Sequence, residues 1–322
     1  MIPEDIDFLE IEKVYKKLSP YIIKTPIIKN SSYLDNFFNT NLFLKLEFLQ
    51  HSGCFKTRGA INNLLNLTDN EKKKGITAVS AGNHAIASSY AAEKFSIKNK
   101  IFMYNSANQY KLNKVKSLNA NLFLTDPHNA FKEAEKASKG EGYYFIHPFD
   151  GKFTIQGTAS LGFEICQQMK IIDNIIISVG GGGLIAGVGS IIRQKFPLCK
   201  IIGVEPEGAR GLSDSIKNNK PLKNVITNSI ADSLCAPLHM PYSFSICKNV
   251  ISDMVVVSDQ EMKKSMKFMF EHYRLALEPA CVAGISALRG PLKNKFQNQN
   301  TLVILCGSNI DMKNWLDLTR EQ

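Results

Sequence analysis

Arginine is scarce in this chain. Only Arg58, Arg193, Arg210, Arg274, Arg289 and Arg320 occur among 322 residues, so the net charge of +10 is nearly all lysine. Proteins that read nucleic acids lean on arginine for bidentate contacts to bases and phosphates. A lysine excess spread along the chain describes a solvated surface instead, and no nucleic-acid partner is expected. Cysteine pairing is absent too: the seven cysteines are an odd number, and none lies in a C-x-x-C pair or a Cys/His cluster. A chain this long needs no disulfide staples, which favours a reduced, cytoplasmic setting. The opening Met-Ile-Pro-Glu-Asp-Ile-Asp has no basic segment followed by an apolar one, so no secretion signal is expected. Long apolar runs are few. Residues 175–192 carry no charge but hold Gly180 to Gly183, Gly187 and Gly189, a poor helix interior and a good strand–helix loop. This run reads as a buried element, and no membrane partner is expected.

The remaining composition, 44% hydrophobic and 21% charged, excludes a disordered or collagen-like chain. Short apolar or β-branched runs predict strands at 42–46, 77–80, 100–104, 121–125, 175–179, 200–204, 254–257 and 302–305. Helical patterns at 56–65, 84–95, 110–118, 184–194 and 259–274 alternate with them. That alternation predicts an α/β fold with parallel sheets buried on both faces. Ser258-x-x-Glu261 reads as a capping box, and Asn119 as a left-handed residue closing the helix before it. Residues 206–253 read as a long connection with local structure, of the kind that often carries function.

Three strand-to-helix junctions stand out, because helix N-termini there offer free N–H groups and a positive dipole end. At the first, Ser52-Gly53-Cys54-Phe55-Lys56-Thr57-Arg58-Gly59-Ala60 sets Lys56 at a helix start, where the dipole disfavours its ammonium. A partly deprotonated lysine suits Schiff-base chemistry, though an ordinary surface lysine fits the same residues. At the second, Ser80-Ala81-Gly82-Asn83-His84 offers the N–H groups of Gly82, Asn83 and His84 to a carboxylate. Asn83 as a helix N-cap and His84 as a structural helix-start histidine remain open. At the third, Gly180-Gly181-Gly182-Gly183 can aim consecutive N–H groups at one phosphate. Glu205, about twenty residues on, keeps a nucleotide reading open, although the glycine spacing fits neither nucleotide fingerprint. Cys306 follows the last strand, placed either to touch a ligand or as a buried free thiol.

In this order and from about residue 10 to 312, the chain resembles the serine/threonine dehydratase and serine racemase family of pyridoxal-phosphate (PLP) enzymes, fold type II. The resemblance rests on S-x-x-x-K-x-R-G-A, S-x-G-N-H, G-G-G-G-[LM] and [SC]-G-x-N. It implies that Lys56 binds the cofactor and later takes the α-proton, that Phe55 packs beside the ring, and that Asn83 bonds the ring hydroxyl. Ser80, Ala81, Gly82, Asn83 and His84 would hold the substrate carboxylate. Gly180, Gly181, Gly182, Gly183 and Leu184 would cradle the phosphate, with Cys306 facing the ring nitrogen and Glu278 nearby. It also implies a small mobile domain, residues 67–148, inserted in a large PLP-binding domain of residues 1–66 and 149–322, and a homodimer. The reaction expected is conversion of L-threonine or L-serine to a 2-oxo acid and ammonia.

Departures from the pattern sharpen that expectation. Ala81 stands where the racemase branch has a serine acting as acid/base on the face opposite the lysine, and a methyl group moves no proton. Lyase therefore ranks above racemase. The racemase-like cation site is matched by Glu205 and Ala209, but Gly211 replaces its second acid, which argues against a divalent cation. The family's A-D-G reads Ala231-Asp232-Ser233, and Cys54 replaces a serine before the lysine. These changes bear on substrate choice and leave room for an inactive PLP-binding protein. A 3-hydroxyaspartate dehydratase is disfavoured by the absence of arginine from residues 67–148. The chain ends soon after Asn309, so the C-terminal regulatory domain of biosynthetic threonine dehydratases, with its isoleucine feedback, is not expected.

Overall fold

Among residues 2–320, those described by the computed structural model, ten strands form two sheets. They are β1 (Ile27–Lys29), β2 (Asn41–Lys45), β3 (Ile76–Ser80), β4 (Asn99–Tyr104), β5 (Leu122–Thr125), β6 (Tyr144–Phe145), β7 (Asn174–Ser178), β8 (Lys200–Pro206), β9 (Asp253–Val257) and β10 (Asn300–Ile304). The larger sheet runs β1-β2-β10-β7-β8-β9 and is parallel except for β1 against β2. The smaller runs β5-β4-β3-β6, all parallel, and is built wholly from the chain between 76 and 145. Helices cover β7 and β10 on both sides, so Ile175, Ile176, Ile177, Leu302, Val303 and Ile304 are fully buried. This is the α/β architecture expected.

All eight anticipated strands form within two residues of their expected bounds. β1 and β6, of three and two residues, are too short to show a period. Residues 175–192 resolve into β7, a glycine loop and the helix Gly183–Lys195. No helix among the described residues is long and apolar enough to cross a membrane. The Ser258/Glu261 capping box forms, and Asn119 takes φ 52° just beyond the helix Gln109–Lys116. The connection 206–253 holds two short 3-10 turns and the helices Gly211–Lys217 and Pro241–Val250.

Close helix packing fixes the helix Lys56–Leu65. A Cβ on Gly157, in the helix Lys152–Gln168, would lie 2.5 Å from the Gly59 Cα. Any larger residue there would push the Lys56 helix off its seat. Behind it lies a fully buried ionic cluster. Arg58 pairs with Glu47 at 2.6 Å and Glu164 at 3.0 Å, and Lys45 pairs with Glu164 at 2.5 Å. Thr25 donates to Glu47, and Lys45 also donates to the Thr25 carbonyl and Gln168.

Candidate active site

The strand ends of the large sheet and the junction after β3 meet at one small cavity, lined by Lys56, Asn83, the four glycines, Glu278 and Cys306. Lys56 opens its helix with no side-chain cap and is half-buried. Its ammonium donates to the Pro148 carbonyl at 2.7 Å and lies 4.9 Å from the centre of the Phe55 ring. Burial pulls its pKa down to about 8, so an appreciable share is free amine near neutral pH. Desolvation is the main cause.

Asn83 is the first residue of the helix Asn83–Lys94, yet it does not cap it. Its amide nitrogen donates to Glu278 Oε1 at 2.7 Å and Ser233 Oγ at 3.0 Å, while its oxygen accepts from Asn309 at 2.7 Å. The N-cap alternative is thereby set aside. His84 turns its ring inward, with Nε2 2.8 Å from the Ile146 carbonyl. Burial, with Lys56 nearby, drives its pKa to about 3, so the ring is neutral and donates that bond. The structural bond that the sequence left open for it is therefore made. Ser80 Oγ accepts from the Gly82 N–H at 3.0 Å, so that donor is engaged. The N–H groups of Asn83 and His84 have no acceptor among the described residues.

The four glycines lie at the tip of β7, and none of their N–H groups has an acceptor among the described residues. Side chains are excluded at this loop. A Cβ on Gly181 would lie 2.2 Å from the Phe149 ring, one on Gly183 2.7 Å from the Phe149 carbonyl, and Gly182 has φ 91°. Leu184 is buried just beyond. Ser178, immediately before the loop, is buried with its hydroxyl unpartnered. Cys306 lines the same cavity, its thiol 3.8 Å from the Ala280 carbonyl. Glu278 is buried, and burial raises its pKa; Oε2 lacks a hydrogen-bond partner.

Glu205 does not face this cavity. Its carboxylate caps the helix Gly211–Lys217, accepting from the Leu212 N–H at 2.7 Å and the Ser213 N–H at 2.9 Å. The nucleotide reading loses its acid, and the cation reading finds this carboxylate already occupied by backbone donors. Burial still lifts its pKa to about 7.

Two lysines escaped sequence reasoning because nothing in their spacing marks them among so many others. Lys111 is buried, donates to Asp232 at 2.5 Å and lies 3.9 Å from Glu278 Oε2. Burial would lower its pKa, but Asp232 and Glu278 together raise it. Lys114 donates to Asn309 at 2.6 Å. Both come from the helix after β4 and reach residues of the large sheet's loops. A wider chamber opens from Lys56 beyond the first cavity, walled in part by Tyr104, Phe131 and Phe149, with Ala81 on its edge.

Residues 18–307 match the family described as pyridoxal-phosphate dependent enzymes. A phenylserine dehydratase from Ralstonia pickettii is 38% identical over 306 residues, covering 95% of this chain and 94% of that one. A catabolic L-threonine dehydratase from Staphylococcus aureus is 31% identical over 309 residues, covering 94% and 89%. The solved structure of maize serine racemase superposes with a TM-score of 0.90 at 29% identity, covering 97% and 96%.

Proposed function

The chain belongs to the pyridoxal-phosphate-dependent enzymes, within the serine/threonine dehydratase–racemase superfamily, and from that premise we propose that it is an ammonia-lyase acting on L-threonine or L-serine. The observation that carries the proposal is Lys56, a half-buried amine of lowered pKa set beside a side-chain-free glycine loop. The residues fit the cofactor. Unpaired N–H groups at Gly180 to Gly183 and the orphan Ser178 hydroxyl suit a phosphate. Phe55 and Leu184 offer apolar flanks, and Asn83 and Cys306 polar contacts at the ring edges.

PLP, when bound, supplies an electron sink for the charge that develops at the substrate α-carbon. Lys56 takes the α-proton through its free amine. The unpaired N–H groups of Asn83 and His84 orient the substrate carboxylate, and Ser80 holds Gly82 in place. Cys306 would offer the cofactor ring a thiol in place of a carboxylate, which would favour an unprotonated ring nitrogen and suit expulsion of a β-hydroxyl. Loss of that hydroxyl with the α-proton leaves an enamine, which water hydrolyses to a 2-oxo acid and ammonia. Ala81 offers no acid/base on the opposite face, which supports lyase over racemase. Lys111 is already paired with Asp232, which weighs against a substrate with a second carboxylate. Residues 67–148 form the proposed small domain, closing on the substrate to exclude water.

A second reading has its own support. The aromatic-walled chamber beside Lys56 has room for a ring on the β-carbon, and the 38%-identical relative is a phenylserine dehydratase. Incubation with L-threonine, L-serine and 3-phenylserine, with 2-oxo acid and ammonia measured together, tests both. Equal yields of the two products from threonine or serine uphold the first reading, and preference for phenylserine moves the assignment to the second. Release of D-serine without oxo acid would replace both with a racemase, and no product from any of them leaves a PLP-binding protein without turnover.

A further inference from the structure

Five side chains around the site close into a ring. Lys111 Nζ donates to Asp232 Oδ2 at 2.5 Å, and Ser233 Oγ donates to Asp232 Oδ1 at 3.2 Å. Asn83 Nδ2 donates to Ser233 Oγ at 3.0 Å and to Glu278 Oε1 at 2.7 Å, and Glu278 Oε2 returns to within 3.9 Å of Lys111. Lys111 sits in the helix after β4, Asp232 and Ser233 in the 3-10 turn Asp232–Leu234, and Asn83 at the helix start after β3. Thus one hydroxyl links an ion pair spanning the two sheets' elements to the amide beside Lys56. Ser233 is also the residue that stands where the resemblance places a glycine, so this link belongs to this chain's own sequence. A serine hydroxyl has a single proton. Once it is given to Asp232, the oxygen is left to accept from Asn83, adding a third hydrogen bond to those that Glu278 and Asn309 make with the amide.

We propose that Ser233 is a positioning residue, transmitting the Lys111–Asp232 contact across the cleft to Asn83 and so holding that amide toward the cofactor ring. The proposal rests on the PLP-enzyme reading above and adds a residue to it. Removing the hydroxyl leaves Asp232 holding Lys111 but takes one of the three hydrogen bonds from the Asn83 amide, leaving those with Glu278 and Asn309. Removing the ion pair leaves Ser233 free to turn its proton elsewhere. Either break has the same consequence at Asn83, because hydrogen bonds in such a chain act as a unit.

The test uses the cofactor-loaded enzyme and the variants Ser233→Ala, Asp232→Ala and the double variant. The visible absorbance maximum and the dissociation constant for PLP are measured beside kcat and KM. The expectation is a displaced absorbance maximum, the same in all three, and a fall in kcat of about tenfold with KM within about twofold. The double variant should be no worse than either single one, the signature of coupled residues. Ser233→Thr, which keeps the hydroxyl, should restore the wild-type maximum. Multiplying losses in the double variant, or an unmoved maximum in Ser233→Ala, would overturn the proposal. Because the spectrum and PLP affinity are read before substrate is added, they separate this proposal from the choice of reaction. Failure of the wild-type protein to bind PLP would instead remove the reading on which it rests.

Discussion

Two buried polar clusters flank Lys56, and they are built to opposite rules. Behind it, Arg58, Lys45, Glu47 and Glu164 balance two positive against two negative charges, and every carboxylate oxygen accepts at least one hydrogen bond. In front, Glu278 Oε2 and Ser178 Oγ are buried without a hydrogen-bond partner, and the glycine-loop N–H groups point at no protein acceptor. Unpaired buried polar groups are costly, and a folded chain keeps them where something else satisfies them. The rear cluster therefore holds the helix that carries Lys56, while the front one is left open for a ligand. Charge burial alone distinguishes nothing here. Completeness of pairing does.

That contrast can be broken from either side. Lys56→Ala should cost about 10⁴-fold in kcat, near the top of the range for a general base, while the unfolding midpoint stays put. Arg58→Met should do the reverse. Leaving Glu47 and Glu164 short of a partner costs about 3–5 kcal/mol in urea unfolding, with turnover lost only as the fold is lost. Gly181→Ala forces the Phe149 ring aside and should cost about 1–3 kcal/mol, together with PLP affinity. Ser178→Ala should change stability by less than about 0.5 kcal/mol yet weaken PLP binding, since its hydroxyl satisfies nothing within the protein. A stability loss at Ser178 as large as that at Arg58 would dissolve the distinction between the clusters.

The smallest effect is one of pH. Lys56 attacks an aldehyde only as the free amine, and its pKa is lowered to about 8. The rate at which apo-protein captures PLP should therefore rise with pH and level off above about 8. A rate still climbing as steeply up to the ordinary lysine range would mean that burial does not tune this amine.

Much of this was legible in the sequence because strand, loop and helix meet where short-range chemistry is concentrated. The glycine run, the lysine before a helix and the Ser-x-Gly-Asn-His junction each announce a backbone geometry within a few residues. Cys306 is marked by its place after the last strand, while its role and Glu278 altogether come from the resemblance, since neither type nor spacing singles them out. Lys111 and the Ser233 link were not legible. Their partners lie 121 and 150 residues away, and one lysine among many carries no mark of the carboxylate it will meet. The ring direction of His84 was hidden for the same reason, because the Ile146 carbonyl that claims it comes from β6's far end. Gly211 in place of a second acid argues against a cation beside Glu205, but the use of that carboxylate as a cap depends on where the helix Gly211–Lys217 begins.

The most direct test of the account is to load the protein with PLP, reduce it with borohydride and map the modified peptide by mass spectrometry. The account predicts one equivalent of cofactor fixed to Lys56, and none fixed at any site in Lys56→Ala. Cofactor fixed to Lys111, Lys114 or another lysine, or recovered entirely free from wild-type protein, would contradict it.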